Sequence, residues 1–167
     1  TQLVLPAGHV LRPVDLGAIA GSGHHSVIVS RKPKVAVIPS GTELVEIGTP
    51  VRPGDIIEYN SLVLTAQINQ WGGAAERLPK VDDVLEEIKN AVAAAAETHD
   101  LILLNAGSSA GSEDYSAAVI ETLGELLVHG VAVRPGHPVI LGILQAGDGR
   151  KVPIAGVEQD NDPAQWR

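Results

Sequence analysis

The segment that decides the fold is Val35-Ala36-Val37-Ile38-Pro39-Ser40-Gly41-Thr42-Glu43, in which an apolar run leads directly into a polar loop. A short, continuous apolar run is typical of a strand that is buried on both faces of a parallel sheet. The run Leu101-Ile102-Leu103-Leu104 has the same character and leads into a loop rich in glycine and serine. The sequence therefore predicts two buried strands, each followed by a polar loop.

Helical patterns lie between the predicted strands. Helices are predicted to start near Asn60 or Ser61, near Asp82 or Asp83, and over residues 113–123. The apolar residues at helical spacing are Leu64, Ile68 and Trp71 in the first helix, and Val84, Ile88, Val92 and Ala95 in the second. Further strands are predicted over residues 74–78, 126–133, 139–144 and 152–154. This alternation predicts the α/β class, a three-layer sandwich with a mostly parallel sheet and helices on both faces.

The composition limits the classes of function. The 167 residues are 44% hydrophobic and only 2% aromatic, which predicts an aliphatic core of domain size. A net charge of -8 disfavours nucleic acids and acidic membrane surfaces as partners. The absence of cysteine excludes disulfides and thiolate chemistry, and no run approaches the roughly 20 apolar residues of a membrane span. The default localisation is therefore cytoplasmic.

Three regions are predicted along the chain, which we interpret as a piece of a longer protein. Residues 1–30, broken by glycine and proline, are expected to form turns and short strands that lead from a preceding β-rich domain. Residues 31–157 carry the alternating pattern and are expected to form the α/β domain, followed by a polar tail over residues 158–167.

The two polar loops are the predicted ligand site. Ligands of such folds bind beyond the carboxyl ends of the strands, and both loops follow a strand. Gly41, Gly107 and Gly111 allow the backbone to approach a ligand closely. Glu43 and Asp114 stand at the ends of the loops, where two converging carboxylates could hold Mg²⁺. The alternative is that Asp114 only favours a helix dipole and that Glu43 is a solvated loop residue.

A different function is suggested by Gly107-Ser108-Ser109-Ala110-Gly111, which matches the G-x-S-x-G pattern of serine hydrolases. Ser109 would be the nucleophile, and His129 or His137 could complete a triad with a downstream acid. No HGGG-type oxyanion segment is present, and the chain is short for that fold. The six histidines show no metal-ligand spacing, and neither a Walker motif nor a G-x-G-x-x-G after a strand is found.

Four segments in order resemble the MoeA family: residues 35–44, Asn60-Ser61, residues 106–115 and residues 129–138. The resemblance covers about residues 5–157. It implies the molybdopterin-binding fold of the MogA and MoeA type, and insertion of molybdate into molybdopterin by a molybdopterin molybdenumtransferase. It also implies adenylated molybdopterin as substrate, Mg²⁺ as cofactor, a homodimer, and an active site shared with other domains of the parent chain.

The same resemblance implies roles for particular residues. The run Ser40-Gly41-Thr42-Glu43 resembles a T-G-D-E loop, residues 106–111 resemble a G-G-V-S-x-G loop followed by the acid Asp114, and residues 134–138 resemble a K-P-G-K-P segment that meets the anionic ligand. Glu43 and Asp114 are thus the expected catalytic residues and metal ligands. The expected molybdopterin contacts are Ser40, Gly41, Thr42, Gly107, Ser108, Ser109, Gly111, Arg134, Gly136 and His137.

Departures from the family pattern leave a second interpretation open. Thr42 stands where the family has an acid, and Arg134 replaces a lysine with a fixed charge. His137 replaces another lysine with a group that is mostly neutral near pH 7, so that anion affinity could depend on pH. Residues 158–163 stand where the family has a G-x-P-G-x-P segment. The alternative is therefore a sensing or scaffolding module that binds molybdopterin or molybdate without catalysis.

Overall fold

The structure is a computed structural model that describes residues 3–106, 115–130 and 139–158. The chain divides into two compact units, residues 1–31 and residues 32–167. No helix in the described ranges is both long and apolar enough to cross a bilayer.

A six-stranded sheet forms the centre of the second unit. Its strands are β1 (Lys34–Ser40), β4 (Ala74–Arg77), β5 (Leu101–Ala106), β6 (Gly124–His129), β7 (Ile140–Gln145) and β8 (Lys151–Glu158). Their order is β4-β1-β5-β8-β7-β6. The pairs β1/β4, β1/β5 and β5/β8 are parallel, whereas β6 and β7 continue the sheet in antiparallel fashion. Two short strands, β2 (Leu44–Val45) and β3 (Ile56–Ile57), form a separate parallel pair.

Helices cover both faces of the sheet, as predicted. Val35 and Val37 pack with Ile68 of α2 (Asn60–Gln70) on one face. Ala36 and Ile38 belong to the core cluster on the other face, with α3 (Leu85–Thr98) and α4 (Tyr115–Leu123). Successive residues of a strand point to opposite faces, so a strand between two helical layers must be apolar throughout. The fold is therefore an α/β three-layer sandwich with a mostly parallel sheet.

The first unit contains a helix that the sequence pattern did not predict. This helix, α1, spans Pro13–Gly21, where only turns and short strands were expected. Pro13 fits the first helical turn because it lacks the N–H that would be unsatisfied there. The carboxylate of Asp15 accepts a hydrogen bond from the Arg12 backbone N–H at 2.8 Å. These two start signals outweigh the glycines, so the prediction of a helix-free leader was wrong.

The predicted helix starts need correction. Helix α2 begins at Asn60, but the side chains of Asn60 and Ser61 do not cap it; Glu58 accepts the Ser61 N–H instead, at 2.8 Å. Helix α3 begins after Val84 and has no side-chain cap, so neither predicted aspartate serves as one. Two residues assigned to buried helix faces are exposed, Trp71 by 77% and Val84 by 47%, because each lies just outside its helix. The predicted start of the third helix at residue 113 and the end of the strand at 131–133 lie outside the described residues.

Candidate functional site

The loop after β1 turns sharply at Gly41. Its N–H donates to the Val81 carbonyl oxygen at 3.1 Å, and Ser40 forms a parallel bridge with the same residue. The φ angle of Gly41 is 153°, and a Cβ atom there would lie 2.8 Å from Cγ of Leu44. Glycine is therefore required at this position, because a side chain would be both strained and crowded.

The loop after β4 is joined to the loop after β1. The Thr42 N–H donates to Oδ2 of Asp83 at 3.3 Å, and the Asp83 N–H donates to Oγ1 of Thr42 at 3.2 Å. Lys80 Nζ donates to the Gly41 carbonyl oxygen at 3.2 Å and also contacts the carboxylate of Asp82. Because β1 and β4 are parallel, both loops lie at the carboxyl edge of the sheet. Thr42 thus connects the two loops.

Glu43 is half-buried beside Gly41. Its backbone carbonyl oxygen accepts a hydrogen bond from the Ile56 N–H at 2.9 Å, which links the loop to β3. Its carboxylate forms no hydrogen bond with another described residue, so its oxygens are available to a ligand. Within the described ranges, no group of three or more His, Cys, Asp or Glu side chains could hold a metal ion.

The loop after β5 starts beside the loop after β1. Ser40 is paired with Ala106 across the parallel strands, so the chain leaves both strands at neighbouring points of one edge. The structure thus brings the starting points of the two predicted loops together. The remaining predicted site residues lie outside the described part of the chain: Gly107, Ser108, Ser109, Gly111, Asp114, Arg134, Gly136 and His137.

The start of α2 is held by a buried ionic network. Glu58 is 0% exposed, and its carboxylate accepts hydrogen bonds from the backbone N–H and hydroxyl of Ser61. The Arg77 guanidinium donates to Glu58 at 2.7 Å, to Ser61 Oγ at 2.6 Å and to Glu46 at 3.2 Å. Burial lowers the pKa of Arg77, but Glu58 and Glu46 outweigh this, and the pKa lies above its ordinary value.

Two asparagines connect α2 to the end of β5. Nδ2 of Asn60, the first residue of α2, donates to Oδ1 of Asn105 at 2.7 Å. Asn105 is 0% exposed, and its Nδ2 has no hydrogen-bond partner among the described residues. Asn105 immediately precedes Ala106, the residue paired with Ser40. The carboxyl edge therefore gathers the loops after β1 and β4, the end of β5 and the first residue of α2.

A comparison with known protein families identifies the family of the chain. Residues 36–157 match the family described as "Probable molybdopterin binding domain". The chain belongs to this family. The match contains nearly all of the first of the four segments that carried the resemblance, and it contains the other three completely. It therefore confirms the resemblance.

Individual relatives and structures agree with the family. The chain is 35% identical to the molybdopterin molybdenumtransferase of Bacillus subtilis over 136 residues, which are 81% of this chain and 32% of that protein. It is 32% identical to the Haemophilus influenzae enzyme of that name over 144 residues, 86% of this chain and 36% of the relative. The crystal structure of a molybdopterin biosynthesis MoeA protein from Pyrococcus horikosii superimposes with a TM-score of 0.79 at 34% identity, covering 94% of this chain and 38% of that one. The chain spans about a third of the length of these proteins.

Sequence reasoning missed several residues of this edge. Lys80 was not singled out, Asp82 and Asp83 were assigned only to a helix start, and Asn105 was given no role. The available signal was the position of residues 78–84 directly after the predicted strand 74–78. Since parallel strands end at the same edge, the loop after this strand should have been added to the two predicted loops.

Proposed function

We propose that this chain is the molybdopterin-binding domain of a molybdenum insertase that acts in molybdenum cofactor biosynthesis. Its substrates are adenylated molybdopterin and molybdate, and the full protein is a transferase. The observation that carries the proposal is the pairing of Ser40 with Ala106, which starts both candidate loops at the carboxyl edge. In α/β sheets this edge is where ligands bind. The family of the chain names the ligand class.

Each loop contributes a different chemistry to the proposed site. Backbone N–H groups of glycine-containing loops bind phosphate oxygens without a net positive charge, which suits a chain of charge -8. We assign these N–H contacts to residues 107–111, because the N–H groups of Gly41 and Thr42 already donate to Val81 and Asp83. Ser40, Gly41 and Thr42 are proposed to line the site on the side of the first loop. Arg134 and His137, near Gly136, are the proposed cationic contacts of the anionic end of the ligand.

Glu43 and Asp114 are the proposed catalytic acids. Carboxylate oxygens are ligands that Mg²⁺ prefers, and the carboxylate of Glu43 is free of hydrogen bonds to other described residues. Of the two proposed magnesium ligands, Glu43 lies within the described residues and Asp114 lies outside them. The carboxylate of Glu43 therefore supports one half of the proposed magnesium site. When bound, Mg²⁺ would neutralise negative charge on the substrate. Glu43, on a loop that Gly41 and Thr42 hold in place, would orient the magnesium ion.

The setting of the proposed domain follows from its relatives, of whose length the chain covers about a third. We propose that further domains of the parent chain complete the active site, and that the full-length protein is a homo-oligomer. Cytoplasmic localisation remains a prediction. The comparisons do not favour the non-catalytic sensing module or the serine hydrolase, whose Ser109 lies outside the described residues.

Isothermal calorimetry with molybdopterin, with and without Mg²⁺, tests the proposal. The unmutated chain is expected to bind molybdopterin. Glu43→Gln keeps the shape of the side chain and removes its charge. This variant should reduce the effect of Mg²⁺ on molybdopterin affinity at least tenfold. The matched control is Glu87→Gln on the exposed face of α3, which should behave as the unmutated chain. Absence of binding by the unmutated chain, or equal Mg²⁺ dependence in all three proteins, contradicts the proposal.

The catalytic part of the proposal needs the full-length parent gene. Expressed in a strain defective in molybdate insertion, this gene should restore molybdoenzyme activity, and its Glu43→Gln variant should not. Failure of the unmutated gene, with molybdopterin binding intact, would replace the insertase by the binding-only alternative.

A further inference from the structure

The pair of asparagines at the end of β5 has unused hydrogen-bonding capacity. The single bond between Asn60 Nδ2 and Asn105 Oδ1 leaves the buried Asn105 Nδ2 group without an acceptor in the part of the chain that the structure describes. The Oδ1 atom of Asn60, on a half-buried side chain, also has no partner among the described residues. The pair therefore offers one donor group and one acceptor at the carboxyl edge.

An orphaned buried amide is costly. Most buried polar atoms in native proteins are hydrogen-bonded, and an unsatisfied one costs about as much as a lost hydrogen bond. Exchanging the oxygen and nitrogen of both amides would only leave the oxygen of Asn105 orphaned instead. A leucine at position 105 would fill similar space without this cost. The amide at position 105 therefore indicates a partner that the described residues do not supply.

The charges around this pair select the kind of partner. The Glu58 carboxylate is fully buried and already accepts the Ser61 N–H in the first turn of α2. The Arg77 guanidinium is engaged by Glu58 and Glu46. At this pair, the Arg77 guanidinium is thus already committed to two carboxylates, so these described residues favour a neutral hydrogen-bonding group over an anion.

We propose that Asn60 and Asn105 form a subsite for the neutral lactam edge of a heterocycle, namely the 2-amino-4-oxo edge of a pterin. Asn105 Nδ2 donates to the ring carbonyl oxygen, and Asn60 Oδ1 accepts from the ring N–H or amino group. This subsite rests on the proposed function, which supplies the pterin. Guanine carries the same hydrogen-bonding edge as a pterin. Guanosine is therefore the control ligand that distinguishes a pterin site from a guanine site.

Fluorescence titration of the 167-residue chain with unsubstituted pterin tests the subsite, with guanosine and inorganic phosphate as further probes. Asn105→Leu and Asn60→Ala should each weaken pterin binding about tenfold, as loss of one or two hydrogen bonds does. Phosphate binding should not change. The matched control is Asn90→Leu at an exposed position of α3, which should bind pterin as the unmutated chain does. The melting temperature of Asn105→Leu should be equal or higher, since the substitution removes the orphaned amide.

The outcomes separate the subsite from the proposed function. Unchanged pterin affinity in Asn105→Leu overturns the subsite. A drop of several degrees in its melting temperature, with normal pterin binding by Asn60→Ala, shows a structural role and also overturns it. Tighter binding of guanosine than of pterin overturns the pterin assignment. If the unmutated chain binds pterin but not molybdopterin, the subsite stands and the proposed function fails. If it binds molybdopterin but not pterin, the subsite fails and the proposed function stands.

Discussion

Replacing Arg77 by methionine should cost the domain about 2–3 kcal/mol of unfolding free energy. Breaking a fully buried ion pair by removing one partner costs about 3–5 kcal/mol, because the other charge stays buried. The Glu58 side chain is 1% exposed, but that of Arg77 is 30% exposed, so we place the cost for this pair just below that range. Arg77→Met also removes the hydrogen bond to Ser61 in the first turn of α2.

Urea unfolding at neutral pH, followed by circular dichroism, measures this loss. The matched control is Lys89→Met, which removes the exposed ion pair with Glu86 and should cost at most about 1 kcal/mol. The double variant Glu58→Gln and Arg77→Met should be more stable than Arg77→Met alone, because no buried charge remains. A loss below 1 kcal/mol for Arg77→Met, or a double variant less stable than the single one, would refute the reasoning.

Three further predictions concern the turn at Gly41, helix α1 and the end of α3. In urea unfolding, Gly41→Ala should lower the free energy of unfolding by about 1–3 kcal/mol, because of backbone strain and the contact with Leu44. Gly17→Ala in α1 should raise it by up to about 1 kcal/mol, and equal effects of the two substitutions would contradict this prediction. Hydrogen bonds from Arg12 and then His9 hold the pKa of Asp15 well below its ordinary 3.8. Its contribution to α1 is therefore present above about pH 4 and lost at lower pH, so the amide exchange of α1 in Asp15→Asn should differ from the unmutated chain at pH 7 and converge in acid. Arg150→Gln should speed amide exchange in the last turn of α3, whose carbonyl oxygens Arg150 binds, and unchanged exchange would count against that contact.

The sheet could be predicted from the sequence because its signal is local. Four consecutive apolar residues at 35–38 and again at 101–104 have no satisfactory place except a strand between two helical layers. Parallel pairing of these strands then fixes the edge at which both loops begin. The same local reasoning places Glu43 in the loop that follows the first of these strands.

The contacts between loops could not be predicted in this way. The reciprocal hydrogen bonds between Thr42 and Asp83 join residues 41 positions apart, and the single hydrogen bond between Asn60 and Asn105 joins residues 45 positions apart. No local pattern specifies such pairs. Asp83 also shows why a helix-start signal misleads, since its carboxylate binds the neighbouring loop rather than capping α3.

Chemical-shift mapping of the isotope-labelled chain during titration with molybdopterin tests the central claim most directly. The backbone amides of residues 41–43, 60–61, 81–83 and 105–106, which lie at the carboxyl edge, should shift together and saturate at one ligand concentration. The turn at residues 147–149 joins β7 to the start of β8, at the opposite edge, and should not shift. Shifts confined to that turn and to the last turn of α3 would place the ligand at the wrong end of the sheet and contradict the account.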